Sequence, residues 1–293
     1  MDQATLDRQY SPSSRVPSLQ AYLDEYAQLS ETARRSHPVH TALAYGPHPA
    51  ETLDYFPAVA GRPGGRREPP PLQVFVHGGN WQALSRSESA FPGPALLRAG
   101  AAFAVVNYGL APATRLDDMV GMVRRSIGWL VRNADELGFA ADRLHVSGHS
   151  AGAHLIAMAL LPDSSDGPFE GPDVSGRIAG AALLSGMYDL EPVRLSYVND
   201  ALSLDEAGAH RNSPLHRLPS RLPPLIIARG GNETEEYACQ QDRMAQALRP
   251  RTSLTEIVAA ARDHFSIPYD LGAGGTALGD AVLAQMGLGG TTA

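Results

Sequence analysis

Gly148-His149-Ser150-Ala151-Gly152 spells G-x-S-x-G, and the residues on either side decide how it is read. Before it, Arg143-Leu144-His145-Val146-Ser147 alternates and carries a β-branched residue, the pattern of a short strand. After it, Ala153 through Leu161 is rich in Ala, Leu and Met without Gly or Pro, the pattern of a helix. A serine between the two sits on a sharp strand-to-helix turn at a strained backbone angle. Side chains at 148 and 152 would collide with the neighbouring strand and helix, so both positions require glycine. The turn pushes the Ser150 hydroxyl into a cleft, and the helix start directs backbone N–H groups toward it. The stretch predicts a nucleophile elbow.

Partners for such a serine lie elsewhere in the chain. Val74-Phe75-Val76 reads as a buried strand and runs into His77-Gly78-Gly79-Asn80-Trp81. A His-Gly-Gly turn after an early strand forms the second half of an oxyanion hole in lipase- and esterase-like hydrolases. Its glycines let backbone N–H groups face a carbonyl oxygen that gains charge during attack. Downstream, the strand Leu225–Ala228 leads to Gly230-Gly231-Asn232-Glu233, and the apolar run Leu254 to Ala259 is followed by Asp263-His264-Phe265. The chain order is therefore oxyanion turn, serine, carboxylate, histidine, as the α/β-hydrolase arrangement requires. Together these pieces predict a serine hydrolase.

Bulk properties narrow the field. The chain has 293 residues, no composition break, and expected catalytic parts running from residue 77 to 264, so one domain over 1–293 is expected. A net charge of −7 argues against nucleic acid or an anionic membrane surface as partner. All 24 basic residues are Arg, which excludes Schiff-base catalysis and a Walker A lysine. Cys239 is the only cysteine, so no intrachain disulfide or thiolate metal cluster forms, and it reads as an inert helical thiol. Met1-Asp2-Gln3-Ala4-Thr5 lacks the build of a secretory signal, and no apolar stretch is long enough to span a bilayer. A cytoplasmic protein acting on a small-molecule substrate is expected, with a homodimer allowed.

Leu19 to Arg34 reads as a helix, with Leu19, Tyr22, Leu23, Tyr26 and Leu29 at helical spacing. Leu43 to Phe56 alternates around Gly46-Pro47 and predicts a β-hairpin, and Gly61 to Pro71 an exposed loop. Ala102 to Val106 is a buried strand, Leu116 to Leu137 a long amphipathic helix, and Ala181 to Leu184 a further strand. This alternation predicts an α/β fold, a mostly parallel sheet covered by helices on both faces. Residues 186–222, with Pro192, Pro214 and Pro219, break the rhythm. They are expected to form a small cap over the C-terminal edge of the sheet that shapes the substrate pocket. Residues 287–293 are expected to fray.

Six stretches carry a family resemblance: HGGNW at 77–81, GHSAGAHL at 148–155, SGMYDLEPV at 185–193, VNDALSLDEAGAHRNSPL at 198–215, GGNETEEYACQQ at 230–241 and DHF at 263–265. Through them nearly the whole chain, N-terminal helix included, resembles the kynurenine formamidase (arylformamidase) branch of the α/β-hydrolases. Related esterases and other amide or carbamate hydrolases share the core pattern. In the resembled family the position before the tryptophan is often aromatic; here it is Asn80, a polar side chain that would favour more polar leaving groups or a different amide.

The expected chemistry follows from these residues. Ser150 attacks a small acyl carbon, His264 takes the hydroxyl proton, and a carboxylate holds His264 in the right tautomer. Backbone N–H groups of Ala151, Gly79 and Asn80 would hold the oxyanion, the last two as the resemblance implies. No metal or organic cofactor is called for. Glu233 lies just past a strand and matches the family's acid position. Glu235, Glu236 and Asp242 compete with it, and Asp189 also satisfies the chain order. His149 and His154 are expected to pack around the nucleophile, and Trp81 either borders the pocket or wedges the oxyanion turn. One reading is an arylformamidase acting on N-formylkynurenine or a related formanilide. The other is a carboxylesterase, or a hydrolase of carbamates or other amides, for small acyl groups. A non-catalytic receptor on this scaffold would lack one of these residues, and Ser150 and His264 argue against it.

Overall fold

The computed structural model describes residues 1–59, 68–162 and 171–289. Eight strands, β1 (His40–Ala44), β2 (Thr52–Phe56), β3 (Leu72–Val76), β4 (Ala102–Val106), β5 (Leu144–His149), β6 (Gly180–Leu184), β7 (Leu225–Asn232) and β8 (Leu254–Asp263), form one sheet. Their order is β1-β2-β4-β3-β5-β6-β7-β8. The β1–β2 and β2–β4 joins are antiparallel and every other join is parallel.

Period-two alternation gives each face of the sheet its own core. Ala102, Ala104 and Val106 of β4 point into one cluster, while Phe103 and Val105 point into the other. The first cluster is closed by the helices Leu116–Arg132, Ala151–Ala159 and Glu235–Leu248, through residues such as Ile127, Ile156 and Met244. The second is closed by Gly93–Ala99 and Ala277–Gln285, through Leu96, Leu97, Leu278 and Val282. Phe103 is fully buried with its ring 5.9 Å from that of Phe56. Truncating such a ring to alanine costs about 3–5 kcal/mol.

The expected hairpin is present, with β1 starting at His40 and Tyr45 N donating to Glu51 O at 3.0 Å across the turn. Of the loop expected at 61–71, residues up to 67 lie outside the described residues. The helix expected to reach Leu137 stops at Arg132, and a short helix, Ala134–Leu137, follows. Asn133 makes the break: its side-chain amide donates back to Trp129 O at 2.7 Å. Residues 287–289 are not frayed, because Leu288 N donates to Leu283 O at 2.8 Å and its side chain packs on the second core. Residues 290–293 lie outside the described residues. Among the described residues no helix is long and apolar enough to cross a membrane.

Strands β7 and β8 run past the apolar stretches that signal them. Their parallel register pairs Gly230 with Ala259 and, after a shift, Asn232 with Asp263. Glu233 and His264 therefore leave the sheet side by side. Ser150 follows β5, and His77 follows β3, so all these groups lie at the C-terminal edge of the parallel strands.

Candidate active site

Ser150 sits between β5 and the helix Ala151–Ala159 with φ 54° and ψ −121°, a conformation rarely held by a side-chain-bearing residue. A Cβ at Gly148 would lie 2.3 Å from Gly152 O, and one at Gly152 would lie 2.1 Å from Val76 O. The elbow therefore exists only with glycine at both positions. Ser150 N donates to Leu184 O at 2.8 Å, tying the strained turn to β6. Ala151 opens the helix, so its N–H has no carbonyl one turn back to bond.

Beside the elbow, Gly79 (φ 101°), Asn80 (φ 50°) and Trp81 (φ 59°) form a left-handed run. Gly79 and Asn80 line the same cavity as Ser150. His77 fixes the start of this turn. Its ring stacks on Tyr108 at 4.3 Å, and the Tyr108 hydroxyl donates to His77 O at 2.9 Å. Burial pushes His77 down to about 4, so the ring is neutral at ordinary pH.

His264 and Glu233 make a fully enclosed pair. His264 Nδ1 donates to Glu233 Oε2 at 3.0 Å, with both side chains buried. Glu233 Oε1 accepts from Ser185 Oγ and from Gly230 N, each at 2.6 Å. Two donors on one oxygen and the imidazole on the other fix the orientation of the carboxylate. With Nδ1 carrying the proton, Nε2 is free to accept one. His264 lines the cavity with Ser150. Its ring is packed against those of His149 (4.8 Å), Tyr237 (4.7 Å) and Phe265 (5.2 Å).

The competing carboxylates are elsewhere. Asp189 Oδ2 binds Arg243 Nη1 at 2.7 Å, and its Oδ1 lies 3.6 Å from His216. Glu235 and Asp242 are exposed on the helix Glu235–Leu248, and Glu236 accepts from the Tyr10 hydroxyl at 3.4 Å. His149 and His154 take packing places. His149 Nε2 donates to His264 O and His154 Nε2 to Asn212 O, both at 2.7 Å. Burial holds His154 at about 4, and burial with the neighbouring His264 holds His149 well below the usual range.

Two expectations about the pocket need correction. Trp81 does not border it: its left-handed backbone turns the indole into the first core, fully buried and edge-on to His154 at 5.1 Å. Residues 186–222 form short helices but give only Tyr197 to the walls of the cavity of about 200 Å³ at Ser150. The wall comes instead from the N-terminal segment, through Pro12, Ser13, Leu19, Leu23 and Tyr26. That segment is strapped to the loops bearing the acid and the base. Tyr22 donates to Asp263 at 2.7 Å, Tyr26 to Phe265 O, Thr234 to Gln9 O at 2.6 Å and Asn232 to Arg15 O at 3.1 Å. Leu19, Leu23 and Tyr26 recur at helical spacing, a signal that marks a buried face without saying what it faces. No sequence pattern singles out Ser185 or Tyr237, although both lie in the stretches that carry the family resemblance.

A strained serine on a strand-to-helix turn, beside an enclosed His–Glu pair on a mostly parallel sheet, defines an α/β-hydrolase of the arylformamidase and esterase type. The BD-FAE family model matches residues 62–176. Kynurenine formamidase of Danio rerio is 33% identical, covering 91% of this chain and 90% of that protein. Kynurenine formamidase of Salmo salar is 32% identical, covering 98% and 97%. In fold, esterase B of Lactobacillus rhamnosis superposes with a TM-score of 0.71 at 20% identity, over 94% of each chain. The chain belongs to the kynurenine formamidase family.

Proposed function

We propose that this hydrolase cleaves small-acyl aryl amides, N-formylkynurenine or a related formanilide, through a Ser150–His264–Glu233 triad. The observation that carries this reading is the buried Glu233–His264 pair opening onto the Ser150 cavity, in a chain whose relatives are kynurenine formamidases. Ser150 Oγ attacks the acyl carbon as its proton passes to His264 Nε2. Glu233 stabilises the imidazolium that forms. Backbone N–H groups of Gly79, Asn80 and Ala151 hold the oxyanion, where loss of one donor typically costs about 10²–10³ in turnover. The C–N bond then breaks, and the departing amine takes the proton from His264. Water, deprotonated by His264, hydrolyses the acyl-serine and returns the enzyme. A cavity of about 200 Å³ suits a formyl group, which needs almost no acyl pocket.

A carboxylesterase for small acyl groups is the second reading. It is favoured by the cavity walls, where Pro12, Leu19, Leu23, Leu84 and Phe265 contribute apolar surface. Among the described lining residues no Asp, Glu or Arg is present to pair with an amino-acid end. Measuring kcat/KM from formyl through acetyl to butyryl, on an anilide and on a phenyl ester, separates the two. A steep fall with acyl length on both scaffolds is expected. A maximum at butyryl, or negligible formanilide turnover beside rapid ester cleavage, retires the formamidase reading. Ser150→Ala should abolish turnover with the fold intact, and a serine-directed phosphonate should label Ser150; activity surviving the change would end the triad reading.

A further inference from the structure

The helix Leu19–Ser36 begins where the Ser18 hydroxyl accepts from Ala21 N at 3.3 Å, and it carries Tyr22 and Tyr26 one turn apart on the same side. Both hydroxyls reach the loop of the base, and they bond the residue on either side of it. Tyr22 donates to Asp263 Oδ2 at 2.7 Å, and Tyr26 donates to Phe265 O. The Asp263 carboxylate in turn builds the His264 turn: its Oδ1 accepts from Phe265 N at 2.9 Å and from Ser266 N at 3.0 Å. Ser266 Oγ closes the turn by accepting from Asp263 N at 2.9 Å. Ring contacts fix the two phenols, Tyr22 against Phe265 with centroids 5.5 Å apart and Tyr26 stacked on Phe91 at 4.3 Å. Glu233 and His149 hold His264 by its own atoms, Nδ1 and the carbonyl oxygen, whereas the tyrosines hold the chain before and after it.

We propose that Tyr22 and Tyr26 are positioning residues for His264, a role that rests on His264 being the base. They act through Asp263 and Phe265 rather than on the reacting atoms. With both neighbours pinned, the imidazole moves only about its own side-chain torsions, and Glu233 restrains these through Nδ1. The ring therefore keeps one place in the cavity it shares with Ser150. A reacting group misplaced by about 1 Å can cost about 10² in rate. Tyr26 also lines that cavity, with Leu19 and Leu23 of the same helix, so the element that walls the substrate in also holds the loop of the base. Burial first raises both phenols above their ordinary range, so both donate at every working pH.

The test is kcat and KM on an aryl formate, with the second-order rate at which a p-nitrophenyl phosphonate labels Ser150. Wild type is compared with Tyr22→Phe, Tyr26→Phe, the two combined, Tyr269→Phe and His264→Ala. The phenylalanines keep the rings in place and remove only the donors. The combined variant is expected to lose about tenfold or more in kcat and in labelling, with KM within about twofold of wild type, and each single change a smaller share. Tyr269→Phe is the control, because the Tyr269 hydroxyl donates to Glu25 Oε2 at 2.6 Å and docks the same helix without touching residues 263–265. It should turn over and label as wild type does. Wild-type kcat and labelling in the combined variant overturn the proposal. An equal loss in Tyr269→Phe also overturns it, by making helix docking the cause. So does a loss confined to KM, which would leave the tyrosines as cavity wall alone. His264→Ala separates the two claims, since turnover surviving in it defeats the base itself.

Discussion

His149 Nε2 lies 2.7 Å from the carbonyl oxygen of His264, so the residue before the nucleophile holds the base by its main chain. The bond needs a proton on Nε2, and burial, which disfavours the charged ring, makes that the Nε2–H tautomer of a neutral His149. His149→Ala strands a buried carbonyl, a loss worth about 1–3 kcal/mol. Its kcat is expected to fall about tenfold or more, while His149→Gln, which keeps an N–H donor, recovers part of the loss. Steady-state kinetics on the two variants decide it. An unchanged kcat in His149→Ala would mean that Glu233 alone holds His264.

Glu233→Gln meets a geometric conflict. Gly230 N–H must find an oxygen, so the amide oxygen stays at its side and the NH₂ turns to His264 Nδ1. Donor then faces donor, and the imidazole is driven to the wrong tautomer. A kcat lower by about 10⁴ is expected, as for a triad acid replaced by its amide. Asp189→Asn, which loosens Arg243 and touches neither His264 nor Ser150, should keep kcat within about threefold. The two kcat values, measured side by side, test the assignment; if Asp189→Asn is the more damaging, the acid follows β6.

The N-terminal wall should set acyl preference. Leu23→Ala enlarges the cavity at Ser150 without touching the Glu233–His264 pair. The butyryl-to-formyl ratio of kcat/KM is expected to rise severalfold, with the rate on formyl substrates little changed. Trp81→Phe should behave oppositely, since the indole is in the core. It should lower the unfolding free energy, by less than the roughly 3–5 kcal/mol of full truncation, and leave the acyl ratio alone. An acyl ratio that responds to Trp81 and ignores Leu23 would return the pocket to the oxyanion side.

What the sequence conveys is set by the range of the forces involved. The Ser150 turn is legible because strand pattern, glycines and helix pattern all sit within about fifteen residues, and steric clashes at 148 and 152 leave no other fold for them. His264 is legible by chain order. The pairing of Asn232 with Asp263 is not, because register depends on how two distant strands slide, yet it is what brings Glu233 to His264. The direction of Trp81 depends on the sign of φ at three successive residues, only the first of which is a glycine. The helix Leu19–Ser36 shows an apolar face, but periodicity cannot say whether that face meets a core or a substrate cavity.

Acid should unfold this protein through its buried histidines. Burial lowers His77 and His154 from the ordinary 6.5 to about 4, and burial with the neighbouring His264 holds His149 well below its ordinary value. Above pH 6.5 each is neutral in both the folded and unfolded chain, so none of them makes stability depend on pH there. Between 6.5 and about 4 the unfolded chain takes up protons that the folded protein refuses. Stability therefore falls as pH falls through that window, by at most about 1.4 kcal/mol per pH unit for each group. Urea midpoints at pH 7.5, 6 and 5 should decline, most steeply over the last interval. His154→Gln, whose amide can still donate to Asn212 O, should flatten the slope by about one proton's worth. A midpoint that stays level from pH 7.5 to 5 would mean these rings are protonated inside the fold.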